Sequence, residues 1–434
     1  MTPAGTVAER RPGARQGETP ASGVVSLRPF PYPYGAALAI CSDLDETPTA
    51  ADYLELMRFL NTTETTRHGV GVGLEVGNSI YFDMPSDQFS YWNADDRARA
   101  QVRALIQSGH VDCLHSFGDL ASTRRHAGRA LDDLSRHGCS LKVWVDHAIA
   151  PSNFGADIMR GSGDDPAAPV FHADLTVPFG IEYVWRGRVT SVVGQDTRRS
   201  LRGIASAAHP LASAVTIAKE AAKGALGRGA RVRYAPHASN RVVWESTLRS
   251  GHRVYEFLRS NPTWAGISVY ETRDGLGEVV TPPMLRRLVA RQGACMLYTH
   301  LGKTRASDRR VGPATREALQ RLSDAHARGE ILVTTTARLL DLCRLRQGVA
   351  WTVLRNENHV RIEVSTAGAS WTGSRPPLDG LTFYVPDACQ VSLIIDGRPA
   401  QSTSMNPPDA SGRRSVSLPW PRLSFPVLDR PCAG

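Results

Sequence analysis

A run that is apolar throughout, Ala36-Ala37-Leu38-Ala39-Ile40-Cys41, is followed at once by two carboxylates, Asp43 and Asp45. The run is long enough for a buried strand. In a parallel α/β barrel, residues just past a strand's C-terminal end point into the mouth where chemistry sits. Two carboxylates one residue apart project in similar directions if the segment stays extended. The same acids have a second reading as a helix N-cap, with Asp43 or Asp45, Glu46 and Thr47 starting a helix over Pro48 to Leu60. A cap needs one acid, and two stand here.

The second chemical stretch is Gly109 to Asp119, GHVDCLHSFGD. His115 and Asp119 are four residues apart and share one face if the backbone is helical or tightly turned after Leu114, so both can reach one ion. Alone, such a pair is as readily a capping or surface contact.

Along the chain, residues 1–28 are poor in apolar periodicity and read as a disordered tail. After the first strand and helix, Gly71 to Val76 reads as a second strand. Tyr81, Tyr91 and Trp92 are candidates for an aromatic sugar platform, with packing at the rim as the alternative. A helix over Ala94 to Ser108 is ended by Gly109, and another over Thr123 to His137 by Gly138. Leu141 to Val145 is a strand carrying Asp146 and His147 at its end, with Asn153 in the same loop. Phe179 to Trp185, Val232 to His237 and Gly266 to Glu271 read as strands, 194–228 as a long insertion or loop, and Val242 to Arg259 as a helix. Ala294 to Lys303 is an apolar strand with His300 at its end. A helix over Ala314 to Gly329, a strand over Ile331 to Thr336 and a helix over Ala337 to Arg346 follow. Beyond Gln347, short strands separated by Gly, Pro, Asn and Asp turns, without helices, predict a small all-β domain over 347–434.

Fifty-one Lys and Arg against 42 Asp and Glu give a net charge of +9. No helix-turn-helix, zinc-finger or aromatic ribonucleoprotein motif accompanies that charge, so no nucleic-acid partner is expected. Seven widely spaced cysteines without a Cys-x-x-Cys read as free thiols. No continuous apolar stretch precedes Ser26, so neither a secretory leader nor a membrane partner is expected, and the default location is cytoplasmic.

Asp43-Leu44-Asp45, then Gly109-His110, His115 and Ser116, resemble the NodB-like polysaccharide deacetylases, a family of metal-dependent carbohydrate esterases. The family has an acid pair after its first strand and a Gly-His-x-x-x-x-His-(Ser/Thr)-x-x-His segment. The likeness spans roughly residues 30–345 in motif order and departs from the pattern at Asp119, where the family usually has its second histidine. Its Arg-x-Pro-Tyr segment is replaced by Trp144-Val145-Asp146-His147-Ala148, which lacks the bracing arginine and leaves His147 to replace it or to bind substrate or metal.

The resemblance implies an α/β fold, a (β/α) barrel of seven or eight strands over 29–346 that is open to distortion. It implies Asp43 as general base, His300 as general acid, and Asp45 and His115 as ligands of a divalent metal, most simply zinc. Asp119 stands in for the third ligand, since a carboxylate can replace imidazole. Trp144, Asp146, His147 and Asn153, with Tyr91 and Trp92, are the expected substrate contacts. The expected reaction removes an N-acetyl group from a small amino sugar or glycoside. Hydrolysis of another carbon-nitrogen or ester bond, or carbohydrate binding without catalysis, are the alternatives.

Overall fold

The computed structural model describes residues 9–10, 24–229, 232–356, 358–366, 371–387 and 389–428. It is a mixed α/β structure with parallel sheets and ten α-helices among the described residues. In chain order these are β1 (Ala36–Ser42), α1 (Ala50–Asn61), β2 (Asn78–Ile80), α2 (Asp96–Gln107), β3 (Val111–His115), α3 (Arg124–Arg136), β4 (Val143–Val145), α4 (Ala173–Phe179), β5 (Tyr183–Trp185), β6 (Val189–Thr190), α5 (Pro210–Arg228) and α6 (Ala235–Ser239). There follow β7 (Val243–Thr247), β8 (Arg253–Phe257), β9 (Arg259–Ser260), α7 (Leu276–Val279), α8 (Pro282–Arg291), β10 (Ala294–Thr299), α9 (Pro313–Ala327), β11 (Ile331–Val333) and α10 (Thr336–Gly348).

One sheet has the order β6-β9-β10-β1-β11 and the other β7-β8-β5-β4-β3-β2. Every pairing in them is parallel except the β7–β8 hairpin. Only Leu258 separates β8 from β9, so one extended stretch passes from the second sheet into the first. Strand periodicity of two then sorts the side chains. Ala37, Ala39 and Cys41 share a cluster with Cys113, Val143, Val145, Tyr183, Trp185, Phe257 and Met296, drawn from both sheets. Their neighbours Ala36, Leu38 and Ile40 pack under the helices instead. Burial on both faces is why β1 is apolar throughout. Positions of the same parity at or just beyond the strand ends are Asp43, His115, His147 and His300, with Arg259 opening β9.

Several helices begin where the sequence places a cap. Thr49, Asp95 and Thr123 each accept a backbone N–H through the side chain, and Gly109 leaves α2 with a φ of 80°. Five segments differ from expectation. Gly71 to Val76 is not a strand, because its backbone is tied to the end of α1: Val72, Gly73 and Leu74 donate to Phe59, Thr62 and Leu60, and the strand starts only at Asn78. Val242 to Arg259 is the β7–β8 hairpin, turning at Gly251 with φ 84°, rather than a helix. Val232 to His237 forms a 3-10 turn running into α6, and Gly266 to Glu271 contains no strand. Within 194–228 lies α5, whose buried positions are Ser213, Thr216, Glu220 and Gly224. A helix whose inward face is polar carries no apolar stripe for the sequence to show.

After α10, Ala350–Arg355, His359–Ser365, Gln390–Ile395 and Arg398–Pro399 form a sheet joined at its edge by Glu9–Arg10. Thr382–Tyr384, Ser404–Asn406 and Ser415–Ser417 form another, joined by Ser26–Leu27. The remainder of the expected N-terminal tail, 1–8 and 11–23, lies outside the described residues. The six described cysteines are free, as expected, and Cys432 lies outside. No helix among the described residues is long and apolar enough to cross a membrane.

Burial leaves a pH signature. His110, His172 and His237 are each pushed down to about 4, chiefly by desolvation. Asp112 and Asp146 are pushed up by the same cause, to about 6 and about 7. The histidines favour the unfolded chain as pH falls from their unfolded value near ~6.5 towards 4, because the unfolded state binds the extra protons. The two acids act oppositely, adding stability at low pH that is lost as pH rises through their folded values. His68 and His115 are likewise pushed down to about 4, so the lowered histidines outnumber the two raised acids and acidification from pH 7 to 5 is expected to destabilise the fold. Urea midpoints at the two pH values measure this, and an unchanged midpoint would mean that the buried imidazoles are charged.

Candidate metal centre

Asp45, His115 and His147 converge, each offering one ligand atom, with all three atoms within 4.8 Å of one another. They come from the ends of β1, β3 and β4. Each follows its strand's inward-facing positions, and tight turns then carry the chain away. Ser116 has φ 49° and its N–H is held by Val145 O at 2.7 Å. Gly118 has φ 100°, and a Cβ there would meet Asp83 O at 2.1 Å, so only glycine fits.

His115 Nδ1 lies 3.4 Å from Asp45 Oδ1, and His147 Nδ1 lies 3.8 Å from the same oxygen. His115 Nδ1 is buried with no hydrogen-bond partner. Burial pushes His115 down to about 4, so its ring is neutral and that nitrogen is open to an ion. Burial opposes the charge on Asp45, yet the imidazoles of His115, His300 and His147 outweigh it and hold the carboxyl well below the usual range. Two imidazoles and one carboxylate are a donor set suited to zinc and similar divalent ions. The Tyr81 hydroxyl reaches this group, hydrogen-bonded to Asp45 Oδ1 and 2.7 Å from His147 Nδ1, while its ring stacks on His115 at 4.7 Å.

Asp119 stands one step further out. Its side chain is 47% exposed and its Oδ1 lies 3.1 Å from His147 Nε2, the nitrogen facing away from Asp45. A carboxylate in that place orients a ligating imidazole through its second nitrogen.

Asp43 is fully buried beside the cluster, with Oδ2 3.7 Å from His115 Nε2 and 3.8 Å from His300 Nε2. Both its oxygens accept from Arg259, at 2.8 and 2.9 Å. The Arg259 guanidinium lies over the Trp185 ring at 3.4 Å and the Tyr298 ring at 4.2 Å. Burial alone would raise Asp43, but Arg259, His115 and His300 together keep its carboxyl below the ordinary value. Asp43 is thus braced by an arginine from β9. On the far side, His300 Nδ1 donates to Glu271 O at 2.8 Å, which leaves Nε2 facing Asp45 Oδ2 at 3.5 Å. Burial works against its charge, and Asp45 and Asp43 prevail, raising His300 above its ordinary value.

The other expected contacts have different places. Trp144 and Asp146 are fully buried and support the His147 loop. Asp146 accepts from Trp144 Nε1 at 2.7 Å and from the Phe154 and Gly155 N–H groups, both at 2.8 Å. Asn153, also buried, accepts the His147 N–H at 2.8 Å and donates to His147 O at 3.0 Å. Tyr91 is in the core, its hydroxyl accepting from Arg103 at 2.8 Å. Trp92 is half-buried beneath the Arg129 guanidinium at 4.1 Å. Neither aromatic forms an open platform, because both rings pack against Phe82.

No family model matches the chain, and no curated protein or solved structure matches it either.

Proposed function

We propose that the chain is a metal-dependent hydrolase that removes an N-acetyl group from an amino sugar or amino-sugar glycoside. The observation that carries this reading is the convergence of Asp45, His115 and His147 beside an acid braced by Arg259 on one side and an imidazole raised above its ordinary pKa on the other. In this reading the two parallel sheets are the halves of a distorted (β/α) barrel whose strand ends carry the site, and the strands after α10 make a small C-terminal β domain.

Asp45, His115 and His147 would hold a divalent ion, most simply zinc, which would supply a Lewis acid able to lower the pKa of water and polarise an amide carbonyl. Asp43 is kept ionised and fixed in orientation by Arg259, ready to accept the attacking water's proton on Oδ2. His300 holds its proton on Nε2, because Nδ1 is committed to Glu271 O, and delivers it to the departing amine. Asp119 fixes the His147 ring through Nε2, and Asn153 fixes its backbone.

Acetate release from a panel of N-acetylated amino sugars by the zinc-loaded chain tests the reading. Asp43→Asn is expected to cut the rate by roughly 10²–10⁴-fold with the metal retained, the usual worth of a positioned general base. Metal-loaded protein that releases no acetate but cleaves simple esters would replace the N-acetyl substrate with another acyl group. Equal rates for Asp43→Asn and the native chain would remove Asp43 from the chemistry.

A further inference from the structure

Behind the loops that carry Asp45 and His300 lies a second group of side chains. Arg273 and His68 are 3% and 2% exposed. Arg273 Nε and Nη2, Arg309 Nε and His68 Nε2 are buried and have no hydrogen-bond partner. His68 Nδ1 accepts the Val311 N–H at 3.3 Å, so in the neutral ring it is Nε2 that carries the proton, as a free donor. These are four unpartnered donors, and His68 and Arg309 both lie within electrostatic reach of Arg273.

Their placement is fixed by the start of α9. Thr315 Oγ1 donates to Arg273 O at 2.7 Å, Val311 bonds His68 as above, and the N-cap Gly312 offers no side chain to the helix's first N–H groups. Arg309 Nη2 is anchored on Glu46 O at 2.9 Å and Gly302 O at 2.7 Å, and the Arg273 N–H on His300 O at 3.0 Å and Lys303 O at 3.1 Å. The nearby acids are engaged elsewhere. Asp52 pairs with Arg67 and accepts from Thr49 Oγ1 at 2.8 Å; Asp274 accepts from Thr304 Oγ1 at 2.9 Å and Arg305 N at 2.7 Å. Burial first, and then Arg309, pull Arg273 down to about 10, as befits a cation short of counter-charge. A buried guanidinium without a partner is costly, and an oxyanion is the ligand that its fork and a helix N-terminus both fit.

We propose that Arg273, Arg309, His68 and the uncapped start of α9 form a binding site for a tetrahedral oxyanion, a phosphoryl or sulfo group. The site shares its supporting loops with the metal centre, so the anion is either part of the molecule acted on or free inorganic phosphate. The proposal does not rest on the deacetylase reading and is tested without any activity.

Inorganic phosphate is titrated into the full-length chain at low ionic strength, with calorimetry and thermal melting as readouts. Saturable binding and an upward shift in melting temperature are expected. Arg273→Met is expected to weaken binding by at least ~10-fold while melting no lower than the native chain in phosphate-free buffer, because it removes an unpaired buried charge. His68→Gln, which keeps a neutral polar side chain, is expected to weaken binding more modestly. Phosphate effects equal to those of sodium chloride at matched ionic strength, or unchanged in both variants, would overturn the site. So would an Arg273→Met chain that melts far lower, with no phosphate binding to the native chain, since the guanidinium would then be structural. N-acetylglucosamine 6-phosphate settles the source: tighter binding than phosphate that is lost in His115→Ala places the anion on the substrate, and binding equal to phosphate makes it a free-anion site.

Discussion

Zinc-reconstituted chain, dialysed free of excess metal, is expected to keep about one ion per chain, and His147→Ala to keep none. Asp119→Ala is expected to keep its ion with affinity reduced about 10–100-fold, the usual cost of losing a group that orients a ligand. The two residues compete for one role in the sequence, and geometry separates them. His147 presents Nδ1 towards Asp45 Oδ1 at 3.8 Å and is held there by Asn153, whereas Asp119 is half exposed and touches the ring's outer nitrogen. An exposed carboxylate on a turn gains little by leaving water for an ion that already has two imidazoles and an acid. Elemental analysis of the native chain and the two variants, prepared side by side, measures this. Complete metal loss in Asp119→Ala with retention in His147→Ala would restore the His115 and Asp119 pairing and return His147 to an orienting role.

The sequence shows half of this centre and hides the other half for a physical reason. β1 and β10 are strongly apolar and lead directly into Asp43 and His300, so strand and site are read together, whereas β3, with Asp112 inside it, shows His115 by motif rather than by strand pattern. α2 and α3 carry their caps and apolar stripes in plain sight, and α9 its stripe alone. Arg259 is different. It meets Asp43 across 216 residues of chain, and it sits at the end of the Val242 to Arg259 segment, which reads as a helix in the sequence. The alternation in Val243-Trp244-Glu245-Ser246-Thr247 and Arg253-Val254-Tyr255-Glu256-Phe257, about Ser250-Gly251, is the hairpin signal that competes with it. Polar residues facing inward from α5, and a backbone that ties Gly71 to Val76 onto α1, leave no periodicity for a sequence to show. His68 and Arg273 are tied by single hydrogen bonds to Val311, just before α9, and to Thr315 within it, links across the chain that local pattern does not encode.

Arg259→Met is expected to destabilise the fold by roughly 3–5 kcal/mol at pH 7, the cost of leaving a buried charge without its partner. The pair lies inside the sheets, with Arg259 fully buried and Asp43 nearly so, and nothing else shares Asp43's two oxygens at hydrogen-bond distance among the described residues. Asp43's folded pKa is held below its unfolded value, so the pair contributes stability that is present above about pH 4 and is lost as pH falls through the folded pKa. Removing the guanidinium takes away the group that depresses it, and burial then drives the Asp43 carboxyl upward. The deficit of Arg259→Met relative to the native chain should accordingly be largest near neutrality and shrink in acid as Asp43 is protonated. Urea denaturation at several pH values follows it. The double variant Arg259→Met with Asp43→Asn is expected to recover much of the loss, because neither charge is then stranded, and the double-mutant cycle isolates that coupling. A deficit that is the same at every pH, with no recovery in the double variant, would assign the loss to the packing of Arg259 between Trp185 and Tyr298 rather than to its charge.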